Sequence, residues 1–77
     1  EMTDINISKS VKEIKRSFNY CNKLTKINIP NNVKKIDNNA FTQCNNVESI
    51  NVDNEKNSIL GAPWGAMKGM RVVKWLR

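Results

Sequence analysis

Apolar residues recur along the chain in the same order, with a period of 22 or 23 residues. Four of them return 22 positions later, where Ile5, Ile7, Val11 and Ile14 are followed by Ile27, Ile29, Val33 and Ile36. Three more return 23 positions later, where Phe18, Cys21 and Leu24 are followed by Phe41, Cys44 and Val47. A third copy begins with Val47, Ile50 and Val52, and Met2 takes the leading place in the first copy. A fixed period of this length predicts a stack of similar structural units.

Each unit is expected to contain one half-buried strand. In residues 24–29 (LTKINI) the last three positions alternate between apolar and polar, as in a strand that buries one face. Residues 30–32 (PNN) end the strand, because proline cannot donate to a ladder and asparagine favours turns. Val33 and Ile36 then turn inward, and Asp37 is expected to cap a short helical turn. One unit cannot cover its own apolar face, so neighbouring units must stack in parallel around a shared core.

The second copy has the pattern Leu24-x-x-Ile27-x-Ile29-Pro30-x-x-Val33-x-x-Ile36-x-x-x-Ala40-Phe41-x-x-Cys44-x-x-Val47. This pattern resembles the BspA-type leucine-rich repeat of bacterial surface proteins. The first copy departs from it, with Ser8 in the place of the proline and Ser17 in the place of the alanine. The resemblance implies a β-rich α/β solenoid, a short parallel leucine-rich repeat stack of about two and a half repeats over residues 2–23, 24–46 and 47–52.

The same resemblance carries expectations about function. It implies a non-enzymatic interaction or adhesion module of a bacterial surface or secreted protein, which binds a protein or glycan and packs against neighbouring repeats of its parent chain. Its location would be extracellular or at the cell surface. Similar repeats also occur in phage tail proteins and eukaryotic parasites, so a structural module of a phage tail, located in the virion, is the first alternative. A lysine-rich domain that binds polyanions is the second.

Residues 53–77 are expected to form a loop and a carboxyl-terminal cap, because the repeat is expected to stop after Val52. Residues 53–58 are polar and are typical of a loop. Residues 61–66 (GAPWGA) are dense in turn formers, and residues 70–76 (MRVVKWL) are compatible with a last strand. Together with the repeats, this segment is expected to complete a single domain.

Two tryptophans are the main features of the expected cap. Terminal units of a solenoid differ from internal ones because they cover an open apolar face, so Trp64 and Trp75 are expected to lie against the last repeat. The alternative is an aromatic platform that binds a glycan or a peptide. The sequence of residues 61–66 also resembles the tail that closes phage and bacterial surface repeats of this kind.

Length and composition restrict the function further. The chain has 77 residues with 13 Lys/Arg and 7 Asp/Glu, a formal net charge of +6, which is enough for one small domain. It contains no histidine, the commonest general base and zinc ligand, and no glycine-rich phosphate loop. We therefore expect no enzyme activity, no cofactor and no metal site. No stretch is long and apolar enough for membrane insertion. No signal peptide is visible, and the start at Glu1 rather than Met indicates a fragment of a longer protein.

Cys21 and Cys44 occupy equivalent positions in successive units and are expected to stack inside the solenoid. Adjacent strands are about 4.8 Å apart, so a disulfide is compatible with the distance. Stacked side chains point in the same direction, however, and buried cysteine packs as a small hydrophobe. Free buried thiols are therefore the favoured interpretation.

Positive charge is concentrated early in the chain. Between Lys9 and Lys35 there are eight Lys/Arg and one acid, Glu13. The candidate residues for binding a polyanion, such as a glycosaminoglycan or a teichoic acid, are Lys12, Lys15, Arg16, Lys34 and Lys35. A solvated face that keeps the protein soluble, or an AT-rich coding bias, explains the same lysines. Nucleic acid is disfavoured as the polyanion, because no aromatic residues are interleaved with the lysines and lysine outnumbers arginine ten to three.

The outward positions of the predicted strands form the other candidate site. Strand alternation puts them in adjacent rows on the sheet face, where solenoids commonly contact partners: Asp4 and Asn6, Lys26 and Asn28, Ser49 and Asn51. These side chains are small and polar, without the aromatic anchors that dominate most binding energies. The alternative is a structural role, in which the three asparagines hydrogen-bond to one another along the sheet.

Overall fold

Successive copies of the repeat form successive turns of a parallel β-solenoid, and the chain makes about three turns. The computed structural model describes residues 3–18 and 21–77, so Met2, expected at the leading position of the first copy, lies outside the described residues. Within the described residues, six strands and two 3-10 helices follow one another in this order: β1 (Thr3–Asn6), β2 (Glu13–Ile14), the 3-10 helix Arg16–Phe18, β3 (Leu24–Ile29), β4 (Lys35–Ile36), β5 (Ser49–Val52), the 3-10 helix Gly69–Val72 and β6 (Val73–Trp75). The expected fold class is confirmed.

The strands form two parallel sheets. Sheet A has the strand order β1-β3-β5-β6, and sheet B consists of β2 and β4. In sheet A, Ile5 is the partner of Ile27, Ile27 is the partner of Ile50, and Ile50 is the partner of Val73. Residues one period apart therefore lie next to each other, which confirms the predicted stacking.

The core is filled by the inward side chains of both sheets. β3 buries Leu24, Ile27 and Ile29 and leaves Lys26 exposed, since successive side chains of a strand point to opposite faces. Ile36 of sheet B is buried in the same cluster. One shared core therefore supports the outward faces of both sheets.

A column of aromatic rings runs through this core from one turn to the next. The ring centroids are 6.0 Å apart between Phe18 and Phe41, 6.4 Å apart between Phe41 and Trp64, and 5.8 Å apart between Trp64 and Trp75. Trp64 has no exposed surface, and its main-chain carbonyl accepts a hydrogen bond from the Phe41 N–H. Trp64 therefore takes, in the next turn, the place that Phe41 has in its own.

The first turn is less well covered than the second. Its apolar residues Ile5, Ile7, Val11 and Phe18 are half-buried, whereas their counterparts one period later are fully buried. Among the described strands of sheet A, β1 is an outer strand, and its one partner there is β3. Burial therefore increases from the first turn to the second.

Parallel stacking continues beyond Val52, the position after which the apolar repeat was expected to stop. Ile59 is buried 23 positions after Ile36, and β6 pairs in parallel with β5. Lys56 stands 23 positions after Val33, so a polar residue interrupts the apolar pattern of this turn. That replacement conceals the period in the sequence.

The last strand is shorter than the expected segment 70–76. The 3-10 helix Gly69–Val72 occupies the first part of that segment, and β6 follows it as Val73–Trp75. Gly69 has a φ of +78°, a conformation that glycine adopts readily. That residues 53–77 shield the end of the stack stays a prediction.

The turn after β4 is not helical, contrary to expectation. Residues 38–43 form turns in place of a helix, although the Oδ1 atom of Asp37 accepts a hydrogen bond from the Asn39 N–H at 2.8 Å, which is the capping bond expected of Asp37. Short polar side chains that bond to the nearby backbone compete with helix formation, and two asparagines follow Asp37 here. Within the described ranges, the two 3-10 helices are the helical segments.

Cys21 and Cys44 are not joined by a disulfide. Cys44 is buried, and its thiol donates to the main-chain carbonyl of Phe18. Cys21 is half-buried. The absence of a disulfide agrees with the favoured interpretation, whereas the expected burial holds for Cys44 and not for Cys21.

Candidate functional site

Strand register arranges the six predicted contact residues in two rows on sheet A. Each row crosses neighbouring strands, so its members lie side by side. The first row is Asp4, Lys26 and Ser49, and the second, the asparagine row, is Asn6, Asn28 and Asn51. We call these six residues the strand face. β6 extends the asparagine row with Lys74, which pairs with Asn51 and which counting 23 positions from Asn51 would have identified.

The asparagine row is linked by hydrogen bonds between side chains. The Nδ2 atom of Asn28 donates to Oδ1 of Asn6 at 2.6 Å, and Nδ2 of Asn51 donates to Oδ1 of Asn28 at 2.9 Å. Ser49 Oγ donates to Oδ1 of Asn51 at 2.8 Å. The predicted ladder is therefore confirmed. Because an amide nitrogen carries two donors, each asparagine keeps hydrogen-bonding capacity beyond the ladder.

A shallow depression of about 510 Å³ lies on one side of the strand face. Its lining carries both signs of charge, with Asp4 and Glu48 facing Lys26 and Lys74. Thr25 Oγ1 donates to Asp4 Oδ1 at 3.2 Å, which fixes the carboxylate of Asp4 next to β3. This depression suits a ligand that offers charges or hydrogen-bonding groups of both kinds.

A second depression, of about 360 Å³, lies on the other side of the asparagine row. The asparagines form part of its lining, together with the apolar side chains of Ile7, Ile29, Pro30 and Leu76. Leu76 is 59% exposed, so part of this apolar surface is open to solvent. The asparagine row is therefore bordered by a charged depression and a more apolar one.

An ion pair lies after β5 and β6, beside the second depression. The Nε atom of Arg77 is 2.8 Å from Oδ1 of Asp53. The hydrogen bond from Arg77 holds the pKa of Asp53 below its ordinary value, and the same bond raises the pKa of Arg77. The pair joins residues 24 positions apart, and stacking of the turns is the signal that could have predicted it.

The predicted polyanion-binding residues belong to the turns that contain sheet B, and all five are exposed: Lys12, Lys15, Arg16, Lys34 and Lys35. Lys12 and Lys34 are neighbours, since the Lys34 N–H donates to the Lys12 carbonyl at 2.9 Å.

Acidic residues lie beside two members of this basic set. Glu13 is the strand partner of Lys35, and the Nε atom of Arg16 is 3.8 Å from Oδ1 of Asp37. Counting charges along the chain missed Asp37, because the solenoid brings it next to residues of the preceding turn. Binding of a polyanion here stays a prediction, with Lys12 and Lys34 as its best-placed residues.

Comparison with known proteins gives one match. A family model described as "BspA type leucine rich repeat region (6 copies)" matches residues 1–62, which is most of the chain. No curated protein and no solved structure is significantly similar to the chain. In the part of the chain that the structure describes, no helix has the length and apolar character needed to cross a membrane.

Proposed function

Since the chain belongs to the BspA-type leucine-rich repeat family, we propose that it is a non-enzymatic interaction module that binds an extended protein segment through its strand face. Repeats of this family generally mediate protein interactions, and its proteins are typically surface-associated. We place the module accordingly on an adhesive or secreted protein at the cell surface.

The observation that supports this proposal most is the order of the strand face. Its polar side chains are held in register by the sheet and linked by hydrogen bonds, so they are positioned before a partner arrives. Preorganised groups lose less conformational entropy on binding than mobile ones do. An ordered row of amides can donate to, and accept from, the main chain of a polypeptide lying along it.

The dimensions of the strand face favour a short extended segment over a globular partner. Three strands, each occupying about 4.8 Å, and three residues of each strand at about 3.3 Å per residue, give a face of roughly 140 Å². A standard interface buries about 800 Å² on each partner. A partner restricted to the strand face and its two depressions therefore fits as a single extended chain.

A pull-down with matched variants tests this function. The purified chain serves as bait for bacterial wall extracts and host matrix extracts, at low and high salt. The test variant is Lys26→Ala with Asn28→Ala, and the control is Lys23→Ala with Asn45→Ala, which removes the same types of side chain from exposed positions outside every proposed site. Melting temperatures of all forms separate a loss of binding from a loss of folding.

We expect a protein that the wild type and the control retain at high salt and that the strand-face variant loses. Retention by the strand-face variant would refute the assignment of this face. Loss from every form at high salt would instead indicate a polyanion surface, because counterion-driven binding weakens steeply with salt. If the bait retains a glycan and no protein, the proposed class of partner is wrong, while the assignment of the strand face as the binding surface still stands.

A further inference from the structure

A third depression, of about 360 Å³, lies between β4 and the turn that follows Ser58. Ile36 and Ile59 form its apolar floor, and each of them is 3% exposed. Leu60 stands at its edge with 84% of its surface exposed, the largest value among the exposed large apolar residues described. We call this depression the Leu60 groove.

The outward position of Leu60 is fixed by the core. The indole Nε1 of Trp64 donates to the main-chain carbonyl of Leu60 at 2.8 Å, and Trp64 is fully buried. Gly61 follows with a φ of +89°, a conformation that glycine adopts readily, and a Cβ atom there would collide with Oδ1 of Asn38. The hydrogen bond from the buried Trp64 therefore holds the backbone at Leu60. Isolated exposed leucines are common on protein surfaces, but this one adjoins a concave apolar floor.

The charges around the Leu60 groove are positive. Lys34 and Lys35 line it, and no carboxylate occurs among its described lining residues. Lys12 adjoins Lys34 through the hydrogen bond between their main chains. Glu13, the strand partner of Lys35, and Asp37, which pairs with Arg16, are the acids near these lysines, and among residues 3–18 and 21–77 neither of them forms an ion pair with Lys12 or Lys34. Charge complementarity therefore requires an acidic occupant.

We propose that the Leu60 groove binds an acidic peptide segment that carries one apolar side chain. The apolar side chain enters the groove and packs against Ile36, Ile59 and Leu60, while flanking carboxylates contact Lys34 and Lys12. A polysaccharide or a nucleic acid would use the lysines and leave the apolar floor empty. A membrane surface would require several exposed apolar side chains on the same face as Leu60. The exposed side chain of Leu76 is not on that face, because it lines a depression beside the asparagine row of sheet A.

This site is independent of the strand face. The Leu60 groove adjoins sheet B, and none of its lining residues belongs to the two rows on sheet A. The chain would therefore offer two binding surfaces, one for an extended partner and one for an acidic segment.

Fluorescence anisotropy with two labelled peptides tests the proposal. Both peptides are acidic heptapeptides, one with a central leucine and the other with a central serine. For the wild type we expect the leucine peptide to bind about tenfold more tightly, as burial of part of one leucine side chain predicts. Leu60→Ser should remove most of this preference, and Lys34→Glu should weaken the binding of both peptides.

Two control variants and a membrane probe complete the test. Met67→Ser replaces another exposed apolar residue and should keep the preference for leucine, as should Lys26→Ala with Asn28→Ala on the strand face. Equal binding of the two peptides by the wild type would overturn the proposal without the need for any variant. An unchanged preference in Leu60→Ser would also overturn it. Binding to phosphatidylserine vesicles but to neither peptide would also overturn the proposal, and it would indicate a membrane-binding surface instead.

Discussion

Trp64 should be the residue on which the stability of the solenoid depends most. It is fully buried, it links the rings of Phe41 and Trp75, and its Nε1 atom donates to the Leu60 carbonyl. A buried tryptophan removes about 200 Å² from water, which at about 25 cal/mol per Å² stabilises the fold by about 5 kcal/mol. Measured truncations of large aromatic residues to alanine cost about 3–5 kcal/mol. We therefore expect Trp64→Ala to lower the free energy of unfolding by about 4 kcal/mol.

That loss is large for a chain of this size. At about 0.05–0.15 kcal/mol per residue, the whole chain is stable by roughly 4–12 kcal/mol, so the variant would lose between roughly a third and all of that stability. The backbone of residue 64 does not compensate, because its φ of +54° is as unfavourable for alanine as for other residues with a Cβ atom.

Urea unfolding followed by far-ultraviolet circular dichroism measures this change. Leu60→Ala, four residues earlier and 84% exposed, is the matched control and should stay within about 0.5 kcal/mol of the wild type. A loss below about 1 kcal/mol in Trp64→Ala would refute the reasoning, since no well-packed tryptophan is removed at so small a cost.

Three further perturbations follow from the same structure. Deletion of residues 61–77 removes Trp64 and β6 together and should abolish cooperative unfolding; a cooperative thermal transition in the shortened chain would contradict this expectation. Asn28→Ala breaks both hydrogen bonds of the asparagine row and should lower the free energy of unfolding by about 1–2 kcal/mol, measured by urea titration, whereas an unchanged midpoint would mean that the row adds no stability. The pKa of Asp53 is lowered by its hydrogen bond with Arg77, so its contribution to stability is complete above its ordinary pKa and is lost as the pH falls through the lowered one. Asp53→Asn should therefore flatten the pH dependence of the melting temperature below roughly pH 4, and a dependence equal to that of the wild type would argue against the pair.

The period of the sequence predicts most of the fold, because parallel stacking converts equal spacing into adjacency. Ile27 and Ile50 are strand partners because each holds the same place in its copy, and the asparagine row follows from the same rule. These predictions required no knowledge of loops. They rest on the alternation of side chains in strands, which is the most regular property of a sheet.

The third turn could not be recognised by its overall apolar pattern. It keeps two buried residues at the correct spacing, Ile59 and Trp64, each 23 positions after a buried residue of the second turn. The polar residues 53–58 interrupt the pattern before Ile59, and the turn formers Gly61 and Pro63 interrupt it between Ile59 and Trp64, which suggests a separate segment. A count of 23 from Ile36 and from Phe41 would have found both positions, even though tryptophan replaces phenylalanine at one of them.

Contacts between charged side chains were the other feature that the linear sequence concealed. Arg16 meets Asp37 and Asp53 meets Arg77, at separations close to one period. The position of such residues in the repeat indicates which of them can meet, but side-chain length and rotamer decide whether they do. Only the folded structure therefore showed which basic residues have an acid beside them.

The unequal cover of the first two turns gives the solenoid a gradient of local stability. Each turn of a repeat protein is stabilised mainly by its immediate neighbours. Ile7 is half-buried while its counterpart Ile29 is 1% exposed, so opening the first turn exposes less new apolar surface than opening the second. Local unfolding should therefore start at β1 and advance along the stack, and amide protons of β1 should exchange with solvent faster than those of β3. Backbone amides at equivalent positions of the repeat thus differ in their protection from exchange with solvent.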